Sequence, residues 1–69
     1  MTYEELVNII NSVKPDIGEF ELKTPLYQLG LTSLEMMIII CKIERQFNKN
    51  ITIEDIKGIS TVEDLFKSL

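Results

Sequence analysis

Ser33 is the residue of this chain best placed to take part in chemistry. It comes after Gly30, whose backbone can adopt the angles of a tight turn, and it opens a predicted helix with Thr32 as N-cap. A hydroxyl at that position is exposed beside free backbone N–H groups and the positive end of the helix dipole, where an attached phosphate is stabilised. Position alone favours an ordinary helix-start serine, which is the commoner case.

Other side chains that could act in catalysis lack the partners they need. The chain has no histidine, so neither a Ser–His pair nor a His-metal site can be built. Its only cysteine, Cys41, has no evident base and falls in an apolar stripe, where it acts as a small hydrophobic residue. The acidic pairs lie at predicted helix starts and serve the helix dipoles. The sequence therefore predicts a protein that is not an enzyme and holds no metal.

The elements that must position Ser33 begin with a helix over residues 2–13. Thr2 and Glu5 form a capping-box pair at its start, and apolar residues recur on one face after it. Residues 14–31 contain two prolines and two glycines and lose this periodicity, which predicts a long loop. A connection of that length is unusual in a compact domain, and a short helical turn near residues 26–29 would make it less so.

A second helix is predicted over residues 33–47, with Thr32 and Glu35 as another capping box. A short helix around residues 54–58 follows, and a last helix begins at Ser60 or Thr61. The apolar residues of that last helix are spaced as on one helical face: Val62, Leu65, Phe66 and Leu69. The expected fold is all-α, a small four-helix bundle with a long loop between helices 1 and 2 and a short third helix, in one domain over residues 1–69.

Composition narrows the class of protein further. A chain of 69 residues that is 45% hydrophobic can bury one small core. The net charge of −4 and the scattered basic residues argue against nucleic acid as a partner, and no apolar run is long enough to span a membrane. One cysteine allows no disulfide framework and fits a reducing compartment. We expect a cytoplasmic monomer.

The second predicted helix carries apolar residues on two nearly opposite faces. One is the expected core stripe: Met36, Ile39, Ile40, Ile43 and Phe47. The other comprises Leu34, Met37, Ile38 and Cys41. A helix that is apolar nearly all round is usually buried in the centre of a fold. The alternative is a surface for partners, which we favour because three short helices can hardly cover both sides of a fourth.

The run LGLTSLEMM at residues 29–37 resembles the LG(x)DSL signature of acyl carrier proteins. The similarity extends over residues 26–69 and includes IERQF, which closes the second helix, and ISTVEDL, which starts the last. The resemblance implies that Ser33 receives 4'-phosphopantetheine from coenzyme A, in a reaction whose Mg²⁺ belongs to the phosphopantetheinyl transferase. It also implies a recognition face for that transferase and for acyl-loading and acyl-processing enzymes, on residues beside the serine: Thr32, Leu34, Glu35, Met37, Ile38 and Cys41.

Two departures from the family pattern bear on the partners. Thr32 stands where the family has an acidic residue. The threonine can still act as the N-cap, but the negative charge that transferases use is absent. Ile38, Lys42 and Arg45 make the second helix less acidic than in fatty-acid carriers, which indicates more hydrophobic docking. The leading hypothesis is an acyl carrier for fatty-acid or polyketide-like biosynthesis. The alternatives are an aminoacyl or peptidyl carrier of a non-ribosomal peptide or cell-wall pathway, and an unmodified carrier-like interaction module.

Overall fold

The computed structural model describes residues 1–67, which fold into α-helices joined by loops and one 3₁₀ helix. The helices are α1 (Tyr3–Val13), α2 (Ser33–Phe47), α3 (Ile53–Lys57) and α4 (Val62–Lys67), and the 3₁₀ helix is Leu26–Leu29. Residues 1–67 contain no β-strand, only an isolated bridge between Pro25 and Thr61. The predicted all-α fold, with its long loop and short third helix, is confirmed. The predicted place of Leu69 in the last helix lies outside the described residues.

Every α-helix in this part of the chain starts with a threonine followed three residues later by Glu or Asp. The pairs are Thr2 and Glu5, Thr32 and Glu35, Thr52 and Asp55, and Thr61 and Asp64. In each pair the threonine hydroxyl accepts a hydrogen bond from the acidic residue's N–H, and the carboxylate accepts one from the threonine's N–H. These reciprocal bonds satisfy backbone donors that a helix start leaves free.

The core consists of aliphatic side chains from the 3₁₀ helix, three of the α-helices and the segment after α2. The buried residues are Leu6, Ile9, Ile10, Leu26, Leu29, Ile39, Ile40, Ile43, Ile51, Val62 and Leu65. Met36 and Phe47, the two ends of the expected stripe on α2, are partly buried against this core. The short α3 buries no residue fully, although Ile56 packs against the core from it. None of the described helices is long and apolar enough to cross a membrane.

Main-chain hydrogen bonds tie the long loop to the segment that enters α4. The N–H of Leu26 donates to the carbonyl of Ser60 (2.9 Å), and the N–H of Val62 donates to the carbonyl of Thr24 (3.1 Å). Gly30 then ends the 3₁₀ helix with a positive φ of 72°, which residues with a side chain rarely adopt. The loop is therefore fixed immediately before the residues that start α2.

A matched pair of substitutions tests which side of α2 faces the core. Ile39 is fully buried and its neighbour Ile38 is 39% exposed. Ile39→Val should lower the free energy of unfolding by about 0.5–1.5 kcal/mol, because it removes one buried methyl group. Ile38→Val should change it by less than about 0.5 kcal/mol. Urea denaturation followed by circular dichroism measures both, and equal losses would contradict this arrangement of the core.

Candidate functional site

Ser33 is exposed at the first position of α2, and Thr32 organises the backbone around it. The Thr32 hydroxyl accepts from the N–H of Glu35 (3.1 Å), and the Thr32 carbonyl accepts from the N–H of Met36 (3.0 Å). The first-turn N–H groups of Ser33 and Leu34 have no intrahelical acceptor. The site thus presents a hydroxyl beside two free N–H donors and the positive end of a helix of 15 residues.

Glu35 is held at this helix start by the N–H of Thr32, which donates to its carboxylate at 2.8 Å. That hydrogen bond is the main reason why the pKa of Glu35 lies below its usual value, and the positive charge of Lys14 acts in the same direction. Lys14 ends α1 and approaches Gly30, so the turn into α2 has a basic neighbour. Sequence reasoning missed Lys14, because nothing local indicates that the end of α1 meets the start of α2.

A cleft of about 360 Å³ opens beside Ser33. Its wall is mainly aliphatic and thioether side chains from the 3₁₀ helix, α2 and the α3 region: Leu26, Leu31, Met36, Met37, Ile40, Ile56 and Ile59. Thr32 and Ser33 supply the polar edge, and Tyr27, which is 79% exposed, also borders it. Such a cleft suits a flexible apolar chain better than a charged group, because an ion would lose its hydration there without a partner.

The second apolar face of α2 is open to solvent. Leu34 is 71% exposed and Met37 55%, while Ile38 and the free Cys41 are also exposed. No described residue folds over this face, so the interpretation of α2 as a helix buried on all sides is wrong. Exposed aliphatic groups in a row on one helix indicate a surface that meets other molecules.

The predicted site residues fall into three positions. Ser33, Thr32 and Met37 border the cleft. Leu34, Ile38 and Cys41 lie on the exposed face, and Glu35 is engaged in the capping box. Sequence reasoning missed Tyr27, whose position in a loop without periodicity gave no signal beyond its being an aromatic residue next to the motif.

A comparison with known protein families gives a match over nearly the whole chain. The family described as "Phosphopantetheine attachment site" matches residues 4–69, from the first turn of α1 to the end of the chain. No curated protein and no solved structure matches significantly.

The lowered pKa of Glu35 makes a prediction about stability and pH. The Glu35 carboxyl holds its proton less tightly in the folded state than in the unfolded state. The ionised carboxylate therefore stabilises the fold at pH values above its unfolded-state pKa. That contribution is lost as the pH falls through the lowered folded-state value. Glu35→Gln keeps a capping side chain and removes the charge. Its free energy of unfolding should lie below that of the wild type at neutral pH, and the gap should close in acid.

Urea denaturation at a series of pH values measures this gap. Glu19→Gln is the control, because Glu19 is exposed and makes no hydrogen bond within residues 1–67. A gap for Glu35→Gln that stays constant down to strongly acidic pH would show that the charge of the carboxylate plays no part.

Proposed function

Since the chain belongs to the family of carrier proteins defined by a phosphopantetheine attachment site, we propose that Ser33 is the residue to which its 4'-phosphopantetheine is attached. The family consists of non-catalytic carriers, and the cofactor is covalent. When bound, it supplies a thiol at the end of a flexible arm, which holds the cargo as a thioester. The carrier's own part is to display the serine and to present surfaces to the enzymes that load and process the cargo.

The surroundings of the serines support this assignment. The hydroxyl of Ser12 donates to the carbonyl of Ile9 (2.6 Å), and that of Ser60 donates to the carboxylate of Asp64 (2.9 Å). Among the serines in residues 1–67, Ser33 alone has a hydroxyl with no hydrogen-bond partner within those residues. It also stands where free N–H groups and the helix dipole stabilise the phosphate of the arm. The residues present therefore fit the cofactor.

An acyl group is the cargo that we propose, for fatty-acid or polyketide-like biosynthesis. The observation that carries this proposal is the apolar cleft of about 360 Å³ that begins at Ser33. An aliphatic chain gains about 0.8 kcal/mol for each CH₂ that it buries. The ammonium group of an aminoacyl cargo would instead lose its hydration in the same place.

The partners follow from this role. A phosphopantetheinyl transferase must reach Ser33, and acyl-loading and acyl-processing enzymes must dock nearby. The residues proposed for these contacts are Thr32, Leu34, Glu35, Met37, Ile38 and Cys41. Because Thr32 keeps the N-cap without a negative charge, we infer a transferase that does not depend on an acidic residue before the serine. A monomer in the cytoplasm completes the proposal, in keeping with the free thiol of Cys41.

Attachment at Ser33 is tested by intact mass after incubation with coenzyme A, Mg²⁺ and a panel of transferases. The wild-type protein should gain one phosphopantetheine group. Ser33→Ala should gain none, and the control Ser12→Ala should be modified like the wild type. An adduct on Ser33→Ala would refute the assignment, whereas absence of any adduct with every transferase would favour the unmodified interaction module.

The class of cargo is tested on the modified protein. We expect a fatty-acid ligase with ATP and fatty acids to add an acyl group to the arm. An amino-acid adenylating enzyme with ATP and amino acids should add nothing. Intact mass distinguishes the two, with Ser33→Ala as the blank in both. Loading by the amino-acid enzyme alone would replace the acyl proposal with the aminoacyl or peptidyl carrier.

A further inference from the structure

The exposed face of α2 continues beyond its apolar residues into a basic group. Leu34, Ile38, Cys41 and Arg45 are spaced i, i+4, i+7 and i+11, and all four are exposed. At about 100° per residue they lie within an arc of roughly 60°. At about 1.5 Å per residue they form a row about 16 Å long. Lys42, also exposed, lies beside the far end of this row.

The acidic and the basic side chains of α2 differ in whether they have a bonding partner within residues 1–67. Both acidic residues of α2 accept a backbone hydrogen bond from the same chain: Glu35 accepts from the N–H of Thr32 (2.8 Å), and Glu44 accepts from the N–H of Ile51 (2.9 Å). Lys42 and Arg45 form no ion pair within residues 1–67, where the lysines that do so are Lys14, Lys57 and Lys67. The hydrogen bonds leave both carboxylates charged, but the two charged side chains of α2 with no bonding partner within residues 1–67 are the cations Lys42 and Arg45, in a chain whose net charge is −4.

The helix dipole explains only part of this pattern. Arg45 lies in the last turn of α2, where a cation is favoured by the dipole. Lys42 lies before that turn, so its free charge has no such explanation. Leu34, Ile38 and Cys41 have no role in the core.

We propose that this face of α2 docks a protein whose surface offers an apolar recess next to exposed Asp or Glu residues, placed to meet Lys42 and Arg45. Burial of Leu34, Ile38 and Cys41 supplies affinity, and the two charge pairs fix the orientation of the partner along α2. Because the row begins one residue after Ser33, that orientation determines how the partner's catalytic site meets the arm. The proposal thus rests on the proposed function and names the chemistry of its partner.

A protein fits this face better than another polyanion. Two free cations are few for a nucleic acid or an anionic membrane, and the net charge of −4 repels both. A protein surface needs only a local match of charge, with the apolar centre excluded from water.

The partner is identified by photocrosslinking. Benzoylphenylalanine is placed at position 41 of the full chain in the source cells, and at position 23 as a control, since Lys23 is exposed in the long loop. Crosslinked peptides are identified by mass spectrometry. A peptide with an apolar segment and Asp or Glu, captured from position 41 and not from position 23, supports the proposal. Capture of a second copy of this chain, of lipid, of a basic surface, or of nothing beyond the control overturns it.

The affinity of the captured protein is then measured at several salt concentrations. Reversing both charges, as K42E/R45E, should weaken binding by about tenfold or more at about 0.1 M salt, because two attractions become repulsions. Raising the salt should weaken the wild-type complex and strengthen the K42E/R45E complex, since screening acts on attraction and repulsion alike. The control K23E/K67E changes the net charge by the same amount and should bind within about twofold of the wild type.

Equal effects of K42E/R45E and K23E/K67E would refute the docking geometry. Circular dichroism checks that both variants remain helical. The mass of the arm on Ser33, measured in the same samples, separates the two proposals. A modified Ser33 with no specific effect of K42E/R45E overturns only the docking proposal, whereas a bare Ser33 overturns the proposed function.

Discussion

The reciprocal hydrogen bonds between Thr32 and Glu35 are the constraint on which the site depends. They fix the first turn of α2. They also give hydrogen-bond acceptors to the N–H groups of Thr32 and Glu35, which would otherwise need water or a ligand as acceptor. Ser33 takes no part in these hydrogen bonds, so its hydroxyl and the adjacent N–H groups stay free. Thr32 fills the N-cap position that the acidic residue holds in the family signature, so the change at position 32 alters the charge of the site and keeps a capped helix start.

From that fixed start, α2 presents three surfaces. Ile39, Ile40 and Ile43 bury one of them in the core, and Met36 and Met37 line the cleft beside Ser33. The third faces solvent. Under the proposed function each surface has a use: the first keeps the chain folded, the second accommodates an acyl cargo and the third meets partner enzymes. In so small a chain one helix must serve every purpose, which explains why α2 is apolar on more than one side.

Local patterns predicted the helices well, whereas the assignment of the site to Ser33 stays a prediction. Capping pairs and apolar periodicity located α1 and α2, and Thr61 was predicted as a possible start of the last helix, but the capping pairs at Thr52 and Thr61 were not predicted. Periodicity could not show whether the second face of α2 is covered, because that depends on the path of the long loop. The cleft could not be predicted either, since its volume arises where Ile56 and Ile59 pack beside α2, and contacts between distant segments leave no local signal.

The most direct test of the account is the chemical state of Ser33 in protein isolated from its source cells. Proteolytic digestion followed by fragmentation mass spectrometry assigns any added group to a single side chain. We predict phosphopantetheine on Ser33, with part of the population carrying an acyl group on the thiol. An unmodified Ser33 under every growth condition, or an arm on a different residue, would contradict the account.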